Sequence, residues 1–101
     1  MELKAGARFQ STTCDTQVVA VKAPSGDVDL RCGGAPMVEL GTEAARTEPA
    51  TGFDGGSLMG KRYADEELGL ELLVTKAGPG SLSIGETLVG LKEAKPLPAS
   101  D

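Results

Sequence analysis

Leu68-Gly69-Leu70-Glu71-Leu72-Leu73-Val74-Thr75-Lys76 places apolar residues at 68, 70, 72 and 74. A period of two puts those four side chains on one face of an extended strand. Ala77-Gly78-Pro79-Gly80 is turn chemistry, and Ser81-Leu82-Ser83-Ile84 alternates again. Gly85-Glu86 fits a two-residue hairpin turn opened by glycine, after which Thr87-Leu88-Val89-Gly90-Leu91 returns. Leu58 to Ala64 reads as a further strand. The expectation for this half is a three-stranded meander. Asp65-Glu66-Glu67 is also able to open a short helix over about 65–73, and that alternative stays open.

The first half carries the same kind of signal. Thr16 to Lys22 is rich in β-branched residues, Ala23-Pro24-Ser25-Gly26-Asp27 stops it, and Val28-Asp29-Leu30-Arg31-Cys32 alternates strictly. These two runs read as a small antiparallel β-hairpin. Gly33-Gly34 ends the second, and Met37 to Leu40 resumes extended structure. From about 41 to 57 no period is visible; Thr42 to Arg46 offers one helical turn that Pro49 would stop. That stretch is a flexible loop, or a segment that orders on a partner with Phe53 as its anchor. Residues 95–101 read as an extended C-terminal tail. No repeat of 20–50 residues and no strand–helix–strand alternation stands out. The fold expected is all-β, a single domain over 1–101.

Composition narrows the function classes. The 101 residues carry a formal net charge of −5, which opposes non-specific contact with nucleic acid or anionic membranes. No run is long and apolar enough to span a bilayer, and Met1-Glu2-Leu3-Lys4-Ala5 lacks the apolar core of a secretory signal, so a cytoplasmic address is expected. His is absent, which removes the commonest general base and metal ligand. Neither Cys has a His to activate it as a nucleophile, so the chain is not expected to be an enzyme.

Cys14 and Cys32 are the residues most able to carry chemistry. Three readings are open: two small buried hydrophobes, a disulfide closing a loop of about 18 residues, or ligands to a soft metal. Thr13-Cys14-Asp15-Thr16-Gln17-Val18-Val19-Ala20-Val21, a Pro-Gly turn, and Asp29-Leu30-Arg31-Cys32-Gly33-Gly34-Ala35-Pro36-Met37 resemble the desulforedoxin family. That family includes the N-terminal domain of desulfoferrodoxin and related rubredoxin-type knuckles. The likeness covers about residues 11–38. It implies zinc or iron held by four thiolates in two knuckles, and this chain departs from it. Cys32 stands for the first Cys of the second knuckle, with Gly33 in place of the other. Cys14 stands for the second thiolate of the first knuckle, with Ser11 in place of the first. Asp15 or Asp29 would have to complete a shell within one chain. A two-fold axis through the metal would instead let each of two subunits supply Cys14 and Cys32.

Other motifs carry less. Asp27 and Asp29 share a strand face, as carboxylates at a solvated edge do. Asp65-Glu66-Glu67 is a solvated charge run. Gly52-Phe53-Asp54-Gly55-Gly56-Ser57 and Gly78-Pro79-Gly80-Ser81 lack the Lys-Ser/Thr and helix of a phosphate-binding loop. Lys61-Arg62-Tyr63 suits a strand edge or an acidic partner. The function expected is a non-enzymatic accessory module that docks on a larger protein. The alternative is a rubredoxin-like zinc or iron protein with Cys14 and Cys32 shared across a homodimer, and a third idea is a thiol redox partner. A homodimer or heteromer is expected in any case, because one sheet has little in its own chain to cover its apolar face.

Overall fold

The computed structural model describes residues 2–91, and the tail expected at 95–101 lies outside them. The fold is all-β, with no helix among the described residues. Five strands come from the first part of the chain: β1 (Arg8–Gln10), β2 (Gln17–Lys22), β3 (Leu30–Cys32), β4 (Ala35–Pro36) and β5 (Val38–Glu39). Five follow the loop: β6 (Arg62–Asp65), β7 (Leu70–Lys76), β8 (Leu82–Ile84), β9 (Thr87–Leu88) and β10 (Gly90–Leu91). They form a six-stranded sheet in the order β10-β6-β7-β2-β1-β5 and a four-stranded sheet in the order β4-β3-β8-β9. Every pairing is antiparallel.

Both orders are palindromes of the two halves. Phe9↔Val18 in the first half is answered by Tyr63↔Leu72 in the second. Gln10↔Val38 is answered by Ala64↔Gly90, and Arg31↔Pro36 by Ser83↔Leu88. The halves meet at β2–β7, through Val18↔Val74, Val19↔Leu73 and Ala20↔Leu72, and at β3–β8, where Arg31 faces Ser83. Hydrogen bonds off the ladders repeat as well: Gly6 N donates to Ala20 O as Gly60 N does to Val74 O, and Met37 N to Leu30 O as Val89 N does to Leu82 O. The chain is an internal pseudo-two-fold repeat. Its period of about 52–54 residues lies outside the 20–50 residues for which no repeat was expected, and it shows in the sequence only as Gly6-Ala7-Arg8-Phe9 against Gly60-Lys61-Arg62-Tyr63 and Lys22-Ala23-Pro24-Ser25-Gly26 against Lys76-Ala77-Gly78-Pro79-Gly80.

The expected pairings also need correction. The runs at 16–22 and 28–32 are strands, but they do not form a hairpin: β2 lies in one sheet and β3 in the other. The meander breaks in the same way between β7 and β8, and no helix forms over 65–73, where a turn at Glu66–Gly69 leads into β7. The physical reason is burial. Alternating strands laid in one sheet would leave an apolar face wet, and folding each half over at 23–29 and 77–81 puts the two faces together. Gly85-Glu86 does form the expected two-residue turn between Ile84 and Thr87.

Phe9, Val18, Leu30, Met37, Leu70, Leu72, Val74 and Leu82 fill the space between the sheets, each at most 2% exposed. Met37 and Val89 are the buried points where β4 passes into β5 and β9 into β10, so these segments close the two sides. Leu72, expected to need a second copy to cover it, is 0% exposed within this chain. The 41–57 segment has no strand or helix but is tied down. Thr47 N donates to Thr12 O, Ala50 N to Gly33 O, and Phe53 O accepts from Ser81 N. Phe53 stands against Gly34, inside the chain.

Leu72→Ala is expected to lower the free energy of unfolding by about 2–5 kcal/mol through loss of buried surface and a cavity. Leu88→Ala, on an exposed edge, is expected to change it by less than about 0.5 kcal/mol. Urea titrations giving equal losses at the two positions would contradict the two-sheet core.

Candidate functional site

The connection between β1 and β2, Ser11 to Thr16, folds as a tight knuckle in which Ser11 Oγ accepts from Thr13 N at 3.0 Å. Thr13 Oγ1 donates to Cys32 O at 3.1 Å, which fastens this knuckle to the β3–β4 turn. That turn needs glycine at 33. Its φ is +68°, and a Cβ there would lie 2.1 Å from Thr13 Oγ1. The two knuckles bring the cysteines together, with Cys14 Sγ and Cys32 Sγ 3.9 Å apart and both residues buried.

The second half supplies the cover. A Cβ on Gly80 would stand 3.0 Å from both sulfurs, and one on Gly78 would stand 2.9 Å from Cys14 Sγ. Bare backbone is therefore the only wall that fits over the pair. Below it, Cys14 Sγ lies 3.1 Å from Thr16 Oγ1 and 3.4 Å from Ser11 Oγ. Thr16 Oγ1 is 2.7 Å from Ser57 Oγ, so a residue at the entry to the second half joins the network.

These contacts split the two thiols. Burial pushes the Cys14 thiol up, but the Ser11 and Thr16 hydroxyls and the N–H groups of Thr16 and Gly80 donate to its thiolate and outweigh burial. The result is a pKa lowered from 9.0 to about 7. Burial dominates at Cys32 and, with the neighbouring Cys14 thiolate, raises it to about 11. Of the two, Cys14 has the greater thiolate character near neutral pH, and Cys32 holds its proton.

The four-thiolate metal site implied by the family resemblance was tested on the donors present. A tetrahedral metal with sulfur bonds of about 2.3 Å has a sulfur–sulfur edge of roughly 3.8 Å, close to the spacing found here. The donor set does not fit, since the other groups at the sulfurs are hydroxyls and amides. Among the described residues no cluster of three Cys, Asp or Glu forms. Asp15 pairs with Arg46 at 3.0 Å, and Asp29 pairs with Arg31 at 2.8 Å, so neither turns to the sulfurs. A site shared across a two-fold axis needs both sulfurs at the surface, and the Gly78–Gly80 turn covers them.

The remaining candidates resolve into structural roles. Asp65 Oδ1 accepts from Leu68 N, Arg62 pairs with the buried Glu71, and the Tyr63 hydroxyl accepts from Leu58 N. Ser11 carried a signal as the residue standing where a knuckle thiolate would be, while Ser57, Gly78 and Gly80 stood out only as members of glycine-rich stretches weighed as phosphate loops. Thr16 is the site residue that motif reading passes over.

Thr16→Val is expected to raise the Cys14 pKa by about 1–2 units, the worth of one hydrogen bond to a charged sulfur. The pH dependence of alkylation, followed in a Cys32→Ser background, measures it. For the reduced protein the two shifts act on stability in opposite windows. The Cys14 contribution is complete above pH 9 and lost as pH falls through 7; that of Cys32 is complete below pH 9 and lost as pH rises through 11. Their sum peaks near pH 9 relative to a Cys14→Ser/Cys32→Ser variant, and a monotonic difference curve would contradict the split. No protein-family model matches this chain, nor does any curated protein or solved structure.

Proposed function

We propose that this chain is a small non-catalytic accessory module that docks on a larger protein and works through a redox-active dithiol, Cys14 and Cys32. One observation carries the reading: two buried sulfurs 3.9 Å apart, one of them within 3.4 Å of the Ser11 and Thr16 hydroxyls. Closing a disulfide from that spacing takes about one ångström of movement at each sulfur, given a bond of about 2.05 Å. The partner side of the reading is supported by β5 and Leu40, at the open edge of the six-stranded sheet, where Leu40 is 40% exposed. An extended strand of a partner protein pairs there. No helix among the described residues is long and apolar enough to cross a membrane.

Oxidation of the purified chain by hydrogen peroxide or diamide is expected to remove both free thiols and to raise unfolding stability by about 3 kcal/mol, from the loop closed between 14 and 32. Gly80→Ala, which pushes a methyl group against both sulfurs, is expected to slow that closure. Zinc or iron at one atom per two chains, with both thiols ligated, would replace this reading with the shared metal site. Two thiols that survive both hydrogen peroxide and diamide in the folded chain would overturn it. For the partner, binding that is lost on oxidation or in Leu40→Asp supports docking, and a chain that co-purifies with nothing in either state contradicts it.

A further inference from the structure

Cys14 forms part of the wall of a small polar pocket of about 110 Å³, bounded by Gln10, Ser11, Thr16 and Gln17 of the first half and by Arg46 of the 41–57 segment. Cys32 does not line it, and at 0% exposure it meets no solvent. Thus the two sulfurs differ in access, and only one opens outward. The pocket holds a molecule of a few heavy atoms, since a water occupies about 30 Å³ of liquid. Asp15 and Arg46, paired at 3.0 Å, line the same pocket, and a tripeptide disulfide or a second protein's active-site sulfur is larger than its volume. The walls supply hydroxyl, amide and guanidinium groups that suit a small polar oxidant.

We propose that the oxidant admitted to Cys14 is a small hydroperoxide of the size of hydrogen peroxide, and that the chain senses it by closing the Cys14–Cys32 disulfide. This rests on the dithiol reading above. In the first step the Cys14 thiolate attacks one peroxide oxygen. The S–O bond forms, the O–O bond breaks, and hydroxide leaves, taking a proton to become water. In the second step Cys32 Sγ attacks the Cys14 sulfenic sulfur. The S–S bond forms, the S–O bond breaks, and the departing hydroxide takes the Cys32 proton as water. Two thiols and one peroxide thus give one disulfide and two waters; sulfur is oxidised and oxygen reduced. The 3.9 Å spacing places the resolving sulfur beside the sulfenic acid, so the intermediate is short-lived.

The test is stopped-flow oxidation of the reduced full chain with hydrogen peroxide, cumene hydroperoxide, oxidised glutathione and diamide. Hydrogen peroxide is expected to exceed cumene hydroperoxide and oxidised glutathione by about tenfold or more in second-order rate. Cys32→Ser is expected to accumulate a dimedone-reactive sulfenic acid on Cys14, and Cys14→Ser none on Cys32. Ala44→Trp, a bulky side chain in the pocket wall, is expected to slow peroxide but not unfolding. If the bulky oxidants, diamide included, close the disulfide as fast as hydrogen peroxide, or if Cys32 is the sulfur first oxidised, the peroxide inference falls and the dithiol reading stands. If no oxidant closes the disulfide in the folded chain, both fall.

Discussion

The antiparallel contact between β2 and β7 is the constraint on which the rest depends. Val19 and Leu73 face each other at its centre, and exchanging the halves carries Val18↔Val74 into Leu72↔Ala20. A chain with an acidic balance, two Phe, one Tyr and no Trp has little aromatic area with which to build a core. It builds one by doubling. Each half has an apolar face too small to stand alone, and joining two of them edge to edge, then folding each over at β3 and β8, buries both faces at once. The role expected of a second copy, covering the face that carries Leu72, is met by the chain's own four-stranded sheet, to which both halves contribute.

The site follows from a break in that symmetry. In the first half the knuckle positions hold Cys14 and Cys32. Since Gln10↔Gln17 is answered by Ala64↔Glu71, and Cys32↔Leu82 by Ile84↔Leu30, the corresponding positions in the second half hold Leu68 and Ile84. One knuckle pair keeps sulfur and the other is aliphatic. The second half contributes differently: its β7–β8 corner, which answers the β2–β3 corner of the first, lays Gly78 and Gly80 over the sulfurs, and Ser57 at its entry reaches Thr16. The thiol pair is therefore built by one half and enclosed by the other, which couples its chemistry to the joining of the halves.

The strands β2, β3, β7 and β8 were legible because they depend on local alternation: Leu70, Leu72 and Val74 announce β7, and Gly85-Glu86 announces its turn. By contrast, β1 at Arg8–Gln10 is too short to show a period, and β6 starts at Arg62 rather than Leu58. Pairing was not legible, because β2 to β3 and β7 to β8 look like hairpins until the burial of both faces is counted together. The repeat was hidden for a related reason. Pairing and burial demand only apolar character at a position, so Val18 answers Leu72, Phe9 answers Tyr63 and Met37 answers Val89 with few identities to see. At the site, the two cysteines and Ser11 stood out by type and spacing. The roles of Thr16, Ser57, Gly78 and Gly80 did not, since they arise from approach in space across long stretches of chain; Thr16 and Ser57 meet 41 residues apart.

The most direct measurement of the central claim is a redox titration followed by NMR, recording the cysteine 13Cβ shifts together with cross-strand contacts at Val18–Val74 and Leu30–Ile84. Both cysteine signals are expected to move from thiol to disulfide values at one midpoint while those contacts persist, because the pair is poised within an intact fold. Two separate midpoints, or a change seen only as the cross-strand contacts vanish, would contradict it.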